Sequence, residues 1–128
     1  MSTPSSDANP TQPGDPPRLE ATVIDAVARV AFPRRKIDGI AVHMLYEHAA
    51  TLSENRQPRM IVDLAGVPLI SSGVMGILVT INKLFRHVDG QLHIVCPDPL
   101  VVQQFDVMNL SLILKLFPNE QLAMQQFK

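Results

Sequence analysis

Apolar residues in this chain come in two rhythms: short β-branched runs, and longer stretches where they recur every three or four positions. Ala21–Ile24 and Val27–Phe32 are rich in Val and Ile and predict two strands, with Asp25-Ala26 as the turn and Pro33 as the stop. Ile37–Asn55 predicts a helix that Asp38 can cap. Its Ala41, Met44, Leu45, His48 and Leu52 share one face, and Arg56, Gln57 and Pro58 break the pattern. Met60–Ala65 is a continuous apolar run interrupted by Asp63, the signature of a strand covered on both faces, and Gly66, Val67 and Pro68 end it.

Ser71 and Ser72 open the strongest helical pattern, in which Val74, Ile77, Leu78, Ile81, Leu84, Phe85 and Val88 trace one stripe. Lys83, Arg86 and His87 occupy its later turns, where cations oppose the helix dipole, and Gly90 predicts the stop. Gln91–Cys96 reads as a strand closed by Pro97 and Pro99. Leu100–Met108 reads as a short helix with Val101, Phe105 and Met108 on one side. Leu112–Phe117 reads as a short strand, and Pro118 begins a last helix with Leu122, Ala123 and Phe127 as its apolar side. The order ββαβαβαβα predicts an α/β fold: a small mixed, largely parallel open sheet with flanking helices and right-handed crossovers. No internal repeat is visible.

Composition divides the chain. Five of its 11 prolines fall within residues 1–17, a stretch with almost nothing apolar to bury, two acids and no base. It predicts a disordered Pro-rich tail, not a secretory signal, and leaves residues 18–128 as a single domain. No later stretch reaches membrane-spanning length. Of 128 residues 46% are hydrophobic, enough for a core, and the net charge of −1 argues against direct nucleic-acid binding through phosphate contacts. One Cys excludes an intramolecular disulfide framework and a Cys-based zinc site, and fits a reducing, cytoplasmic setting. The basic run Arg34, Arg35, Lys36 reads as a solvated loop.

Enzyme signatures are missing: no Walker loop, no dinucleotide fingerprint, no nucleophile elbow. His43 and His48 are five apart, His87 and His93 lie on different elements, and Cys96 ends an apolar strand. No metal and no cofactor are expected. The turn into the Ser72 helix stands apart. Sites in open parallel sheets gather at the carboxyl ends of strands, and a helix N-terminus there favours an oxyanion or phosphoryl group. Ser71 and Ser72 are read both as helix caps and as candidate phosphoacceptors, since one serine can serve in both roles. Ile70, Ser71, Ser72, Gly73, Val74, Met75 and Gly76 form the candidate partner-docking loop and helix start.

Residues 59–127 resemble a STAS domain, the module of anti-sigma factor antagonists and sulphate-transporter tails. Ile61-Val62-Asp63-Leu64-Ala65-Gly66-Val67 resembles the family's strand ending Asp-Leu-Ser-Gly-Val. Leu69-Ile70-Ser71-Ser72-Gly73-Val74-Met75-Gly76 resembles its loop aliphatic-Asp-Ser-Ser-Gly-Leu-Gly. Val88 to Val95 resembles its helix end, glycine and next strand, and Phe105–Phe117 its helix leading to Leu-Phe. Residues 19–58 fit the family's leading hairpin and first helix. An ungapped alignment places Ser71 at the family's Asp, Ser72 at its first Ser, Gly73 at its phosphorylated Ser and Val74 at its Gly. The resemblance implies a non-catalytic anti-sigma factor antagonist in a partner-switching system that regulates transcription, binding a serine-kinase-type anti-sigma factor, with phosphate on Ser72 or Ser71 as the switch. The alternative it implies is an accessory subunit of a lipid-transport ABC complex, or of a larger signalling assembly, without a phosphoswitch.

Overall fold

A computed structural model describes residues 17–128. The expected Pro-rich tail therefore lies, apart from Pro17, outside the described residues. The chain opens with a hairpin of β1 (Glu20–Ile24) and β2 (Val27–Ala31), in register from Glu20 opposite Ala31 to Ile24 opposite Val27. Both turn residues, Asp25 and Ala26, have positive φ, 51° and 66°. That handedness matches the twist of a two-residue hairpin, but Ala26 carries a Cβ where glycine is favoured.

Next come α1 (Gly39–Leu52), β3 (Arg59–Asp63), α2 (Ser72–Arg86), β4 (Gln91–Val95), α3 (Pro99–Val107), β5 (Lys115–Phe117) and α4 (Glu120–Gln125). Four of these ends follow directly from side-chain caps. Asp38 accepts from Ala41 N, Ser71 from Val74 N, Asp98 from Leu100 N and Asn119 from Leu122 N.

Four local expectations are corrected. The buried side of α1 is Ala41, Leu45 and Ala49, a step of four that lets the helix approach its neighbours closely, while Met44 turns outward. The α3 stripe buries Val101 and Phe105 but leaves Met108, just past the helix, in solvent. The strand expected from Leu112 starts only at Lys115, because Asn109 in a left-handed conformation launches a single 3-10 turn, Leu110–Leu112. After α2 it is Asp89, not Gly90, that adopts the left-handed conformation. Gly90 is small for another reason: a Cβ there would lie 2.6 Å from Pro58 Cγ.

The five strands lie in chain order, β1 antiparallel to β2 and the rest parallel. Successive crossovers in one direction stack α1, α2 and α3 on one face. The main core forms there from Val30, Leu45, Met60, Val62, Leu78 and Phe85, with Ile94 and Phe105. The other face is left to α4. It buries Val27, Ile61, Val95 and Ala123, with Phe117 and Phe127 packed around them. Two polar residues are buried as well. Asp63 pairs with Arg29 at 2.9 Å, and Arg29 also reaches Glu120 of α4 at 2.6 Å. His93 is 0% exposed, stacks on Phe127 at 3.9 Å between ring centroids, and donates from Nδ1 to the Ala123 carbonyl at 2.8 Å. Its buried Nε2 has no partner.

Two expectations follow. Burial holds the His93 imidazole below its ordinary pKa, nearby Lys115 adds to this, and the Ala123 bond opposes it. An unfolded chain therefore binds this proton first. Stability is full above pH about 6.5 and falls as pH drops from there toward the lowered value. Urea midpoints measured from pH 8 downward should show that slope, and His93→Phe should flatten it. Separately, Ala26→Gly relieves the left-handed strain and should raise stability by about 1 kcal/mol in the same assay.

Candidate functional site

Asp63 ends β3, and its second carboxylate oxygen accepts from Ala65 N at 2.9 Å, turning the chain off the sheet. Leu64 N still bonds Val95 O, and Val67 N bonds Leu64 O, so the loop leaves the strand tightly. Gly66 has φ +81°, and a Cβ there would sit 3.6 Å from the Arg35 side chain. Val67 and Ile70 plug the loop into the core, while Leu69 between them is 74% exposed.

Ile70 is held from α3. Its N–H donates to Gln104 Oε1 at 3.2 Å, and Gln104 Nε2 donates to its carbonyl at 3.1 Å. This two-way amide clamp fixes the peptide just before the helix. Ser71 is the N-cap, its Oγ accepting from Val74 N at 3.1 Å. Ser72, the first helical residue, is exposed.

The seven residues picked out in the sequence separate by side. Ser71, Ser72, Gly73 and Gly76 face solvent, whereas Ile70, Val74 and Met75 are core. The apolar surface expected from Val74 and Met75 is therefore internal, because both positions lie on the stripe that α2 turns to the sheet. Its place is taken by an open groove of about 390 Å³ between Ser72 and Met75 on one side and Leu100, Gln104, Val107 and Met108 on the other. Leu100 is 69% and Val107 73% exposed.

The electrostatics favour an anion. The first turn of α2 contains no acidic residue. The partial positive charge of its N-terminus is thus uncompensated beside Ser72. Arg35 leans over the same loop. Arg35 is exposed, as expected of a solvated loop, and it comes near this one because parallel β2 and β3 deliver their following loops to the same end of the sheet. Gln104 had no signal, since nothing in sequence marks a mid-helix glutamine as a clamp 34 residues away.

The histidines are placed elsewhere: His43 and His48 on α1, His87 at the far end of α2, His93 beneath α4. Among the described residues no group of three or more His, Cys, Asp or Glu is arranged to hold a metal ion. Burial pushes the Cys96 thiol up to about 11, which disfavours the reactive thiolate. No helix of the described residues is long and apolar enough to cross a membrane.

The two serines should be separable by stability. Ser71→Ala removes the cap and should cost about 1 kcal/mol in chemical denaturation, while Ser72→Ala should stay within about 0.5 kcal/mol.

Comparison with known proteins adds an independent line. A family model described as STAS domain matches residues 18–123. No curated protein sequence matches the chain. Among solved structures, an anti-sigma-factor antagonist (STAS) domain protein from Planctomyces limnophilus superposes with a TM-score of 0.72 at 20% identity, covering 84% of this chain and 95% of that one. An anti-sigma factor antagonist from Mycobacterium paratuberculosis gives 0.69 at 19% identity, covering 84% and 92%. The Bacillus cell fate determinant SpoIIAA in its phosphorylated form gives 0.63 at 15% identity, covering 86% and 99%.

Proposed function

The chain belongs to the STAS domain family, and from that premise we propose that it is a non-catalytic anti-sigma factor antagonist that binds a serine-kinase-type anti-sigma factor in the cytoplasm and is switched by phosphate on Ser72. The observation that carries this reading is the placement of an exposed serine at the start of α2, on the rim of an apolar groove. Proteins of the same fold are described as anti-sigma factor antagonists, one of them in a phosphorylated form. The partner's apolar side chains would enter the groove against Leu100, Val107 and Met108. Ser72 and the exposed Leu69 would form the near edge of the contact.

A phosphate on Ser72 adds about −1.5 to −2 charges. The helix start tolerates that charge, so the fold persists. Binding is different, because the partner would have to desolvate the phosphate inside an apolar contact. Ser71, although a serine, is the less suited acceptor, since its oxygen already caps the helix. Ser71 stands where the family carries Asp. Both residues are good N-caps, so the replacement preserves the helix start and removes a carboxylate that would repel the phosphate. Gly73 stands where the family's phosphorylated serine would be, and this favours a second reading: a constitutive accessory subunit of a lipid-transport ABC complex or a larger assembly.

Incubation with the cognate kinase-type anti-sigma factor and ATP, followed by phosphosite mapping, should place phosphate on Ser72, with none on Ser72→Ala. Ser72→Glu and Leu100→Asp should each weaken partner binding about tenfold or more. Gly73→Ser should be accommodated, because a Cβ there meets only Ser71 Oγ at 3.7 Å, and should gain a second phosphosite. Failure to bind that kinase, together with recovery of an ABC ATPase, would decide for the second reading.

A further inference from the structure

The two edges of the sheet are protected unequally. β5 is only three residues long, begins with exposed Lys115 and is followed at once by Pro118. Short length, an edge lysine and proline all discourage strand addition. β1 has none of these. It is five residues long, pairs with β2 along its whole length without a bulge, and contains neither Lys nor Pro. All five side chains are exposed, with Val23 at 73% and Ile24 at 43%. Among the described residues no strand pairs with its outer side.

We propose that β1 is the pairing edge for a second copy of this chain, joining two five-stranded sheets across a two-fold axis. Antiparallel pairing centred on Thr22 sets Thr22 against Thr22 of the second copy, Ala21 against its Val23 and Glu20 against its Ile24. No like charges meet in that register. The same operation brings the two α1 helices together. An open groove of about 450 Å³ runs between β1 and α1, lined by Leu19, Ala21, His43, Met44 and Glu47 among others. The outer stripe of α1 is exposed at Ile40, His43, Met44, Glu47 and Thr51. Two-fold reversal of this stripe brings the carboxylate of Glu47 toward the imidazole of His43 on the other copy, with Ile40 and Met44 supplying apolar area. A strand from an unrelated protein would satisfy the β1 backbone but would not bring this second, complementary contact. The groove beside α3 is on the same face as α1 but toward the opposite edge of the sheet, near β4 and β5, so pairing through β1 leaves Ser72 free for another partner.

Sedimentation equilibrium of the full chain from about 10 μM to about 1 mM should show the mass rising from one chain toward two. Amide exchange of Glu20–Ile24 should slow as concentration increases, while that of Lys115–Phe117 stays constant. Val23→Lys keeps the backbone intact and should raise the dimer dissociation constant about tenfold or more with an unchanged urea midpoint. Ala21→Pro, whose N–H points away from β2 in a hairpin closed by the Ile24–Val27 pair, should act in the same direction through the backbone. A single-chain mass throughout the range, or a dimer whose β1 amides do not slow, overturns the proposal. Neither result depends on whether a kinase-type partner is bound.

Discussion

Asp63, 9% exposed at the end of a central strand, needs compensation, because an unpaired carboxylate there would cost several kcal/mol. Arg29 supplies it across the β2–β3 ladder, and the bond from Arg29 to Glu120 raises the guanidinium's own pKa while pinning the start of α4. The other oxygen of Asp63 holds Ala65 N and turns the chain into the loop that leads to Ser72. One buried charge thus links the hairpin, the sparsely covered face of the sheet and the loop that leads to α2. The polar interruption in an otherwise apolar strand is the part of that strand that aims the site.

The strand order explains why this face relies on so few residues. Three crossovers in one direction place α1, α2 and α3 together, and only the short α4 remains to cover the opposite side. A six-residue helix has little intrinsic stability, so its position depends on tertiary ties. These are the Glu120 ion pair, the Ala123 carbonyl accepting from His93, the Phe127 ring on that imidazole, and Arg59 donating to the Lys128 carbonyl at 2.7 Å. Burial favours the neutral form of His93 there, because a second proton on the buried Nε2 would find no acceptor.

Much of this was legible in the sequence wherever local chemistry and packing agree. The hairpin, the caps at Asp38 and Ser71, the two-sided burial of β3 and the element order all follow from periodicity and turn residues. The failures share a cause. Met44 and Met108 satisfy a helical spacing, but which of several adjacent stripes is buried depends on where the sheet lies. Leu112 is apolar enough for a strand, yet Asn109 redirects the chain before pairing can begin. Gly90 does stand at the end of α2, its N–H bonding Phe85 O, but what requires its missing side chain is Pro58. Gln104 reaches the site from α3, and no local pattern records a tertiary hydrogen bond. The candidate docking surface was only half legible: its serines were visible, but its apolar wall belongs to α3.

That division bears on how a switch at this site would work. Helix α2 is anchored by Val74, Met75, Leu78, Ile81 and Phe85, all buried, and its first turn is set by the Ser71 cap and the Gln104 clamp. None of these uses the Ser72 hydroxyl. Charge added at Ser72 therefore meets a favourable helix dipole and breaks no contact of the fold. Across the groove, Leu100, Val107 and Met108 would gain from a partner only by excluding water, and a phosphate on the rim would hold that water in place. The free-energy change of such a modification would thus be concentrated in the complex and nearly absent from the free chain. On the proposed reading, a rigid scaffold with a structurally idle hydroxyl beside an apolar wall would convert one covalent change into a change of partner without first changing its own shape.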